Sequence, residues 1–126
     1  MKTLATLLIV GSGGFFGSAA RFAISGLVHR WIPSAMFPWG TLAVNIGGCF
    51  VIGLLFGLGE TRQLFSPHAR LFLLVGVLGG FTTFSTFGLE SFNLLRDGEA
   101  ARALANVALH IIVGLGAVWA GLLCSR

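Results

Sequence analysis

The chain contains four long apolar segments separated by short polar connectors. The segments run over residues 4–28, 37–58, 71–95 and 103–123. Each is close to the roughly 20 residues that a helix needs to cross a hydrocarbon core about 30 Å thick. A helix also satisfies its backbone hydrogen bonds within itself, which is necessary where no water is present. The sequence therefore predicts an all-α, multi-pass membrane protein with one four-helix transmembrane domain over residues 1–126.

The charged residues are too few for a water-soluble domain. Asp, Glu, Lys and Arg make up 10% of the chain, against about 25% in soluble domains, and the many apolar and aromatic residues exclude disorder. The formal net charge is +4, but the eight basic residues are spaced singly and form no basic face. We therefore expect the lipid bilayer as a partner and no nucleic acid. No catalytic motif is found, so we do not expect an enzyme.

The first segment has two interpretations. Lys2, the apolar run 4–10 and the small residues 18–20 resemble a secretory signal peptide. However, the apolar pattern resumes after Arg21 and continues to Val28. The length of the complete segment favours a retained transmembrane helix.

The positive charges give the four segments almost no preferred orientation. With four spans, both termini and the middle connector lie on one side, which holds Lys2, Arg62, Arg70 and Arg126. The other side holds Arg30, Arg96 and Arg102, and also Arg21 if that side chain reaches it. The positive-inside rule then favours neither orientation. We hypothesise that the chain inserts both ways up and forms a dual-topology, antiparallel homodimer; a chance balance in a small sample is the alternative.

Glycine pairs with a spacing of four residues occur in three of the segments. Small residues at this spacing let helix backbones approach closely in lipid, where packing replaces the hydrophobic driving force. We therefore expect tight helix–helix contacts at these pairs. They are Gly13/Gly17, Gly53/Gly57 and Gly76/Gly80.

The third segment contains a stretch that disfavours a helix near its middle. The stretch is Gly79-Gly80-Phe81-Thr82-Thr83-Phe84-Ser85-Thr86-Phe87. Its glycines, β-branched residues and hydroxyl residues are poor helix formers. A break near the bilayer midplane would expose carbonyls that can bind a cation and N–H groups that can face an anion. The equally weighted alternative is a continuous helix whose Ser and Thr hydroxyls bond to their own backbone.

Phe81, Phe84 and Phe87 recur every three residues within this stretch. On a helix they would form a stripe of rings that packs against lipid or against another helix. Alternatively, the electropositive edges of the rings could bind a small, dehydrated anion. Such a site would lack the fixed positive charge that binds an ion too tightly for fast release.

Five polar side chains inside the apolar segments are candidate functional residues. Asn45 could donate its amide NH2 group to an anion, or it could join two helices. Asn106 and His110 share one face of the fourth segment and could line a polar track or join helices. Glu90 could bond to a neighbouring helix or be solvated near the interface. Arg21 could snorkel to the interface or pair with a carboxylate.

Three stretches of the chain carry a family resemblance. They are Gly17-Ser18-Ala19-Ala20-Arg21-Phe22, Gly40-Thr41-Leu42-Ala43-Val44-Asn45, and the stretch 79–87 with Glu90. Together with the chain length, the four-span plan and the weak charge bias, they resemble the Fluc/CrcB family of fluoride ion channels. The resemblance covers the whole chain, and its third stretch is the most specific.

The resemblance implies a function and a set of site residues. It implies passive export of fluoride down its electrochemical gradient, which lowers fluoride toxicity in the cytoplasm. The channel would be a dual-topology homodimer in the cell membrane, here the bacterial inner membrane, with two parallel pores at the subunit interface. By position, Asn45 would contact fluoride through its amide, and Phe84 and Phe87 through their ring edges. Ser85 and Thr86 would be hydroxyls beside the pore.

The resemblance also implies a central structural sodium ion. Backbone carbonyls at the break in the third helix of both subunits would bind it, here those of Gly79 and Thr82. The fourth segment departs from the family, because Asn106, His110 and Gly114 stand where tyrosine or serine occurs. Pore roles for Asn106 and His110 are therefore only possible extensions of the family pattern.

Two other functions are compatible with a four-span chain of this size. A proton-coupled small multidrug transporter needs a carboxylate in its first helix, and the first segment contains no Asp or Glu. A structural membrane subunit without transport function would have no need for the hydroxyl-rich phenylalanine stretch. The sequence favours the channel over both alternatives.

Overall fold

All the regular structure in the described part of the chain is helical. The computed structural model describes residues 2–33 and 36–126. Its elements are α1 (Lys2–Trp31), α2 (Trp39–Arg62), α3 (Pro67–Arg70), a π-helical segment (Leu71–Val77), α4 (Leu78–Phe81), α5 (Phe84–Arg96) and α6 (Ala100–Cys124). The elements from α3 to α5 follow one another along a single span, Pro67–Arg96. Four spans are long and apolar enough to cross a membrane, which confirms the prediction.

Three of the spans extend beyond the predicted apolar segments at both ends. The third, for example, begins at Pro67 rather than residue 71. Polar residues continue the helical backbone at these ends, whereas hydropathy marks only the part that lipid surrounds. The second helix instead begins at Trp39, two residues after the predicted start, because Pro38 stands at its N-cap with non-helical dihedrals (φ −82°, ψ 63°).

α1 packs directly against the backbone of the third span. A Cβ atom added at Gly13 would lie 2.9 Å from the Cα of Gly76, and one added at Gly17 would overlap the carbonyl oxygen of Val77. The absence of side chains on these glycines is therefore what allows the two backbones to touch. This contact confirms the close packing that the glycine spacing predicts.

α2 packs against α6 in the same manner. A Cβ atom added at Gly53 would overlap the carbonyl oxygen of Val118, and one added at Gly121 would lie 2.7 Å from the amide nitrogen of Leu54. The glycine contacts thus pair α1 with the third span, and α2 with α6. The third span and α2 in turn meet at Gly48, where an added Cβ would overlap the methyl group of Thr82.

The third span departs from regular α-helical geometry at two places. It is π-helical over Leu71–Val77, and such segments are often found near functional sites. Further along, Thr82 (φ −83°, ψ 160°) and Thr83 (φ −150°, ψ 109°) have extended backbone dihedrals. These two residues separate α4, which ends at Phe81, from α5.

Most large apolar side chains lie on the outside of the single chain. Phe22 is 85% exposed and Phe84 is 82% exposed. Few apolar side chains are buried among the described residues: Leu42, Val44, Leu78 and Ala103. This distribution suits a chain surrounded by lipid or by a second copy, since neither surrounding penalises an apolar surface.

Candidate functional site

A side chain of α2 binds the extended residues between α4 and α5. Asn45 Oδ1 accepts a hydrogen bond from the amide of Thr83 at 2.8 Å, and Asn45 Nδ2 donates to the carbonyl of Thr83 at 3.1 Å. One amide side chain therefore satisfies both the N–H and the C=O of Thr83. An amide NH2 group has two hydrogens, so Asn45 keeps one N–H beyond these two bonds.

Thr83 also caps the first turn of α5. Its Oγ1 accepts a hydrogen bond from the amide of Thr86 at 3.3 Å and donates to Thr86 Oγ1 at 2.9 Å. Threonine is a preferred residue at this position because its oxygen satisfies an otherwise unpaired amide. The hydroxyl of Thr86 thus belongs to the helix cap, while Ser85 is exposed on the outside of the chain.

The bond between Asn45 and Thr83 frees backbone carbonyls of α4. In a continuous helix the amide of Thr83 would bond to the carbonyl of Gly79, but here it bonds to Asn45. The carbonyl of Gly80 instead accepts a bond from Ser18 Oγ at 3.4 Å. The carbonyl of Thr82 lies 3.5 Å from Nη1 of Arg21. The end of α4 therefore presents carbonyl oxygens without helical partners.

A cleft of about 390 Å³ is bordered by α2, the third span and α6. We call it the phenylalanine cleft. The rings of Phe84 and Phe87 have their centroids 5.5 Å apart and are tilted by 54°. No Lys, Arg, Asp or Glu occurs among the described residues that line the cleft. Its polar side chains include Asn45, Thr82, Thr83 and His110.

A second cavity lies on the other side of Thr83. We call it the arginine cavity because Arg21 lines it. Five residues with hydroxyl groups also line this cavity: Ser18, Ser25, Thr41, Thr83 and Thr86. Thr83 lines both cavities. The guanidinium of Arg21 thus lies next to the extended residues, with its Nη1 3.5 Å from the carbonyl oxygen of Thr82.

Glu90 bonds to α2, as one of its two sequence-based interpretations predicts. Its Oε1 accepts a hydrogen bond from Thr41 Oγ1 at 2.7 Å. Its other carboxylate oxygen, Oε2, is buried and has no hydrogen-bond partner. Glu90 lines neither the phenylalanine cleft nor the arginine cavity; it lines a third one with His29 and Asp97.

Asn106 joins α6 to α5. It is fully buried, and its Nδ2 donates to Ser91 Oγ at 3.0 Å. Ser91 Oγ in turn donates to the carbonyl of Phe87 at 2.8 Å. Asn106 therefore takes the helix-joining role, and its bonds hold the turn of α5 that carries the ring of Phe87.

His110 lies one turn further along α6 and reaches the phenylalanine cleft. Its Nδ1 lies 2.9 Å from the carbonyl oxygen of Asn106. The centroid of its ring lies 4.3 Å from that of Phe87, with the two planes tilted by 39°. Its Nε2 is buried and has no hydrogen-bond partner.

Comparison with known proteins identifies the family of the chain. The sequence model of the family described as "CrcB-like protein, Camphor Resistance (CrcB)" matches residues 8–122. The chain is 49% identical over 115 residues to a protein of Methylobacillus flagellatus named "Fluoride-specific ion channel FluC", covering 91% of this chain and 90% of that protein. A protein of the same name from Geobacter sulfurreducens is 43% identical over 123 residues, 98% of each chain. The chain belongs to the CrcB family.

The candidate residues of this CrcB chain fall into separate groups. Those that line the phenylalanine cleft are Asn45, Gly79, Thr82, Phe84, Phe87 and His110. Arg21 and Thr86 line the arginine cavity. Glu90, Asn106 and Ser85 line neither of these two cavities. The structure thus brings Asn45, Gly79, Thr82, the two phenylalanine rings and His110 to one cleft.

Sequence reasoning missed Thr83 as the residue on which the CrcB site is organised. Threonine is a preferred residue directly before the first turn of a helix, so a weak signal was present. Thr41 and Ser91 were also missed. Their partners, Glu90 and Asn106, lie on other helices, and no pattern along the sequence indicates these pairings.

Proposed function

We propose that the chain is a fluoride-selective ion channel through which fluoride moves passively down its electrochemical gradient. The observation that supports this most is the arrangement of Asn45 in the phenylalanine cleft. Two of its bonds are fixed on Thr83, and one amide hydrogen is left over in a cleft that Phe84 and Phe87 also line. The names of the relatives, which are fluoride-specific ion channels, agree with this interpretation.

The chemistry of the cleft suits fluoride. Fluoride is small and strongly hydrated, so a pore must replace its water molecules with other hydrogen-bond donors and positive partial charges. An amide N–H and the edges of aromatic rings supply these without a full charge. The lining of the cleft, with no Lys or Arg among its described residues, avoids holding the ion too tightly for release.

We propose that the arginine cavity is the entrance to this path. A guanidinium at the mouth attracts anions and raises their local concentration. The hydroxyl groups around Arg21 can replace part of the hydration shell before the ion reaches Thr83. Thr83 lines both cavities. An anion that passes Thr83 would therefore move from the hydroxyl groups of the arginine cavity to Asn45 in the phenylalanine cleft. Thr86 would take part as one of these hydroxyls.

We propose that two copies of the chain form an antiparallel, dual-topology homodimer with two pores at its interface. The ring of Phe84 is 82% exposed in the single chain although it borders the cleft. A second copy would cover this ring and close the open side of the cleft. Ser85, which is exposed beside Phe84, would then be a hydroxyl at the interface.

We also propose a structural sodium ion at the end of α4. Carbonyl oxygens are the ligands that such ions take at broken transmembrane helices, and the carbonyl of Gly79 has lost its helical partner to Asn45. Gly79 and Thr82 would hold the ion, together with the same residues of a second copy. When bound, its charge would hold two half-helix ends together. Dimers and flux that both persist after exchange into N-methylglucamine would argue against this ion.

In a bacterial inner membrane such a channel would lower fluoride toxicity. Fluoride accumulates in a cytoplasm that is less acidic than the outside, because hydrogen fluoride enters as a neutral acid and dissociates there. A passive pore lets the resulting anion leave again. No nucleotide is needed for this direction of transport, since the ion gradient supplies the free energy.

The function is tested by comparing ion fluxes through the purified protein in liposomes. With valinomycin to balance charge, potassium fluoride should leave far faster than potassium chloride. Phe84→Ile and Phe87→Ile should each lower fluoride efflux by about fivefold, since a ring-edge contact contributes roughly 1 kcal/mol. Dimers should still form, as shown by size-exclusion chromatography. Chloride efflux equal to that of fluoride would exclude the proposed function, and unchanged efflux from both variants would exclude the rings from it.

The dual topology is tested by cysteine labelling. In a chain whose Cys49 and Cys124 are replaced by alanine, Thr3→Cys and Ala100→Cys introduce exposed labels at opposite ends of the spans without changing any charge. With both orientations present, an impermeant maleimide added to intact vesicles should label about half of each variant. Full labelling of one variant and none of the other would show a single orientation.

A further inference from the structure

The imidazole of His110 is held in one tautomer when it is neutral. Its Nδ1 lies 2.9 Å from the carbonyl oxygen of Asn106. A carbonyl only accepts hydrogen bonds, so Nδ1 carries the hydrogen. In the neutral ring Nε2 then carries a lone pair. A neutral His110 therefore presents no N–H donor at Nε2, and the lone pair there repels an anion.

The protonated form of His110 needs a negative partner that residues 2–33 and 36–126 do not supply. Nε2 is buried and has no hydrogen-bond partner, and a buried charge without a partner is costly. His110 lines the phenylalanine cleft, so an anion in that cleft would lie near the imidazolium. Protonation and occupation of the cleft by an anion should each favour the other.

The ring of Phe87 connects His110 with the anion site. The two ring centroids are 4.3 Å apart, which is within the range where a cation is attracted to the face of an aromatic ring. A positive charge on one face draws electron density from the ring edge. The edge of Phe87 then becomes more positive, and an anion at that edge is held more strongly.

We propose that His110 couples the binding of fluoride in the phenylalanine cleft to the uptake of a proton. This inference rests on the proposed channel function and names a proton as a second ligand of the same site. His110 acts as a positioning residue through the ring of Phe87 and through its charge. Since the coupling is reciprocal, fluoride binds more tightly at low pH, and bound fluoride favours the protonated imidazole.

Other titratable groups lie on the elements that pack around His110. On α2, Cys49 lines the same cleft. On α5, Glu90 lies three residues beyond Phe87, bonds to Thr41 and lines a different cavity. On α6 itself, Arg102 is paired with Glu99 at 2.9 Å. Glu90 and Cys49 are therefore the groups from which the effect of His110 has to be separated.

The coupling is tested by recording fluoride currents in planar bilayers. Currents are used because neutral hydrogen fluoride crosses lipid without carrying charge. The fluoride concentration that gives a half-maximal current should be about fivefold or more lower at about pH 5.5 than at about pH 8. His110→Gln, which keeps a polar side chain but does not titrate, should reduce this ratio to about one.

Two variants serve as controls, Glu90→Gln and Cys49→Ala, each of which should retain the pH ratio of the unmodified chain. A ratio near one in the unmodified chain, with fluoride current still present, would overturn the inference about His110 and leave the channel function intact. The inference about His110 would also be overturned if Glu90→Gln, and not His110→Gln, abolished the pH dependence of the half-maximal concentration. If no fluoride current were recorded at both pH values, the channel function itself would be rejected.

Nitrogen-15 NMR of histidine-labelled protein gives a second test that does not depend on transport. The signal of His110 is assigned by its loss in His110→Gln. At high pH it should show the tautomer with hydrogen on Nδ1. The midpoint of its titration should rise by about one pH unit when potassium fluoride replaces potassium chloride, the size expected from a nearby opposite charge. An identical midpoint in both salts, or hydrogen on Nε2, would overturn the proposal.

Discussion

Replacing Asn45 with aspartate is expected to reduce fluoride flux by about a hundredfold while the four spans still assemble. Aspartate keeps an oxygen that can accept the bond from the amide of Thr83. It loses the NH2 group, however, and places a negative charge opposite the carbonyl of Thr83 and in the path of the anion. One unsatisfied buried group costs about 1–3 kcal/mol, and repulsion of the permeating ion adds to this. A loss of about 2.8 kcal/mol corresponds to a hundredfold change.

The matched control for this variant is Asn93→Asp. It makes the same chemical change on α5, at a half-buried side chain near the polar end of the third span. Fluoride flux through Asn93→Asp should remain within about twofold of the flux through the unmodified chain. Size-exclusion chromatography of both variants separates loss of conduction from loss of assembly. Flux through Asn45→Asp that equals flux through Asn93→Asp would show that the amide hydrogens of Asn45 play no part in conduction.

Replacing Gly17 with alanine is expected to destabilise the protein by about 1–3 kcal/mol, the usual cost of overpacking. The added Cβ atom would overlap the carbonyl oxygen of Val77 and lie 2.9 Å from the amide nitrogen of Phe81. Both neighbours are backbone atoms, which cannot rotate away. α1 and the third span would have to separate, and with them the residues that border the arginine cavity.

The control is Gly11→Ala on the same helix, where nothing lies within 4 Å of the added atom. This variant should be as stable as the unmodified chain or slightly more stable, since alanine is a better helix former than glycine by about 1 kcal/mol. The melting temperatures of the detergent-solubilised proteins, followed by tryptophan fluorescence, give the comparison. Equal melting temperatures for the two variants would mean that the close contact at Gly17 does not stabilise the fold.

The sequence predicted the number and position of the membrane spans because both depend on a long-range average. A stretch of about 20 apolar residues must cross a bilayer whatever its neighbours are. The tight packing at glycine pairs was predictable for a similar reason, since a missing side chain can be seen in the sequence. Which helix each glycine meets was not predictable, because that depends on the arrangement of the four spans in space.

The roles of the polar residues were harder to predict than the spans. For Asn45 the sequence left two roles open, donation to an anion and joining of helices. In the structure it binds the backbone of Thr83 on the third span and still keeps one hydrogen, so the two roles are compatible. Asn106 and His110 share a helix face but separate in role, because Asn106 meets Ser91 whereas His110 meets Phe87. Only the position of α5 against α6 distinguishes them.

The two bonds between Asn45 and Thr83 also fix which way the side-chain amide faces, whereas a surface amide can usually exchange the positions of its oxygen and its NH2 group. If the side chain turned over by 180° about its last rotatable bond, its oxygen would face a carbonyl and its NH2 group would face an N–H, so both attractions would become repulsions. The leftover hydrogen therefore keeps a single direction whether the cleft is full or empty. An ion that departs leaves behind a donor that does not need to reorient before the next one arrives.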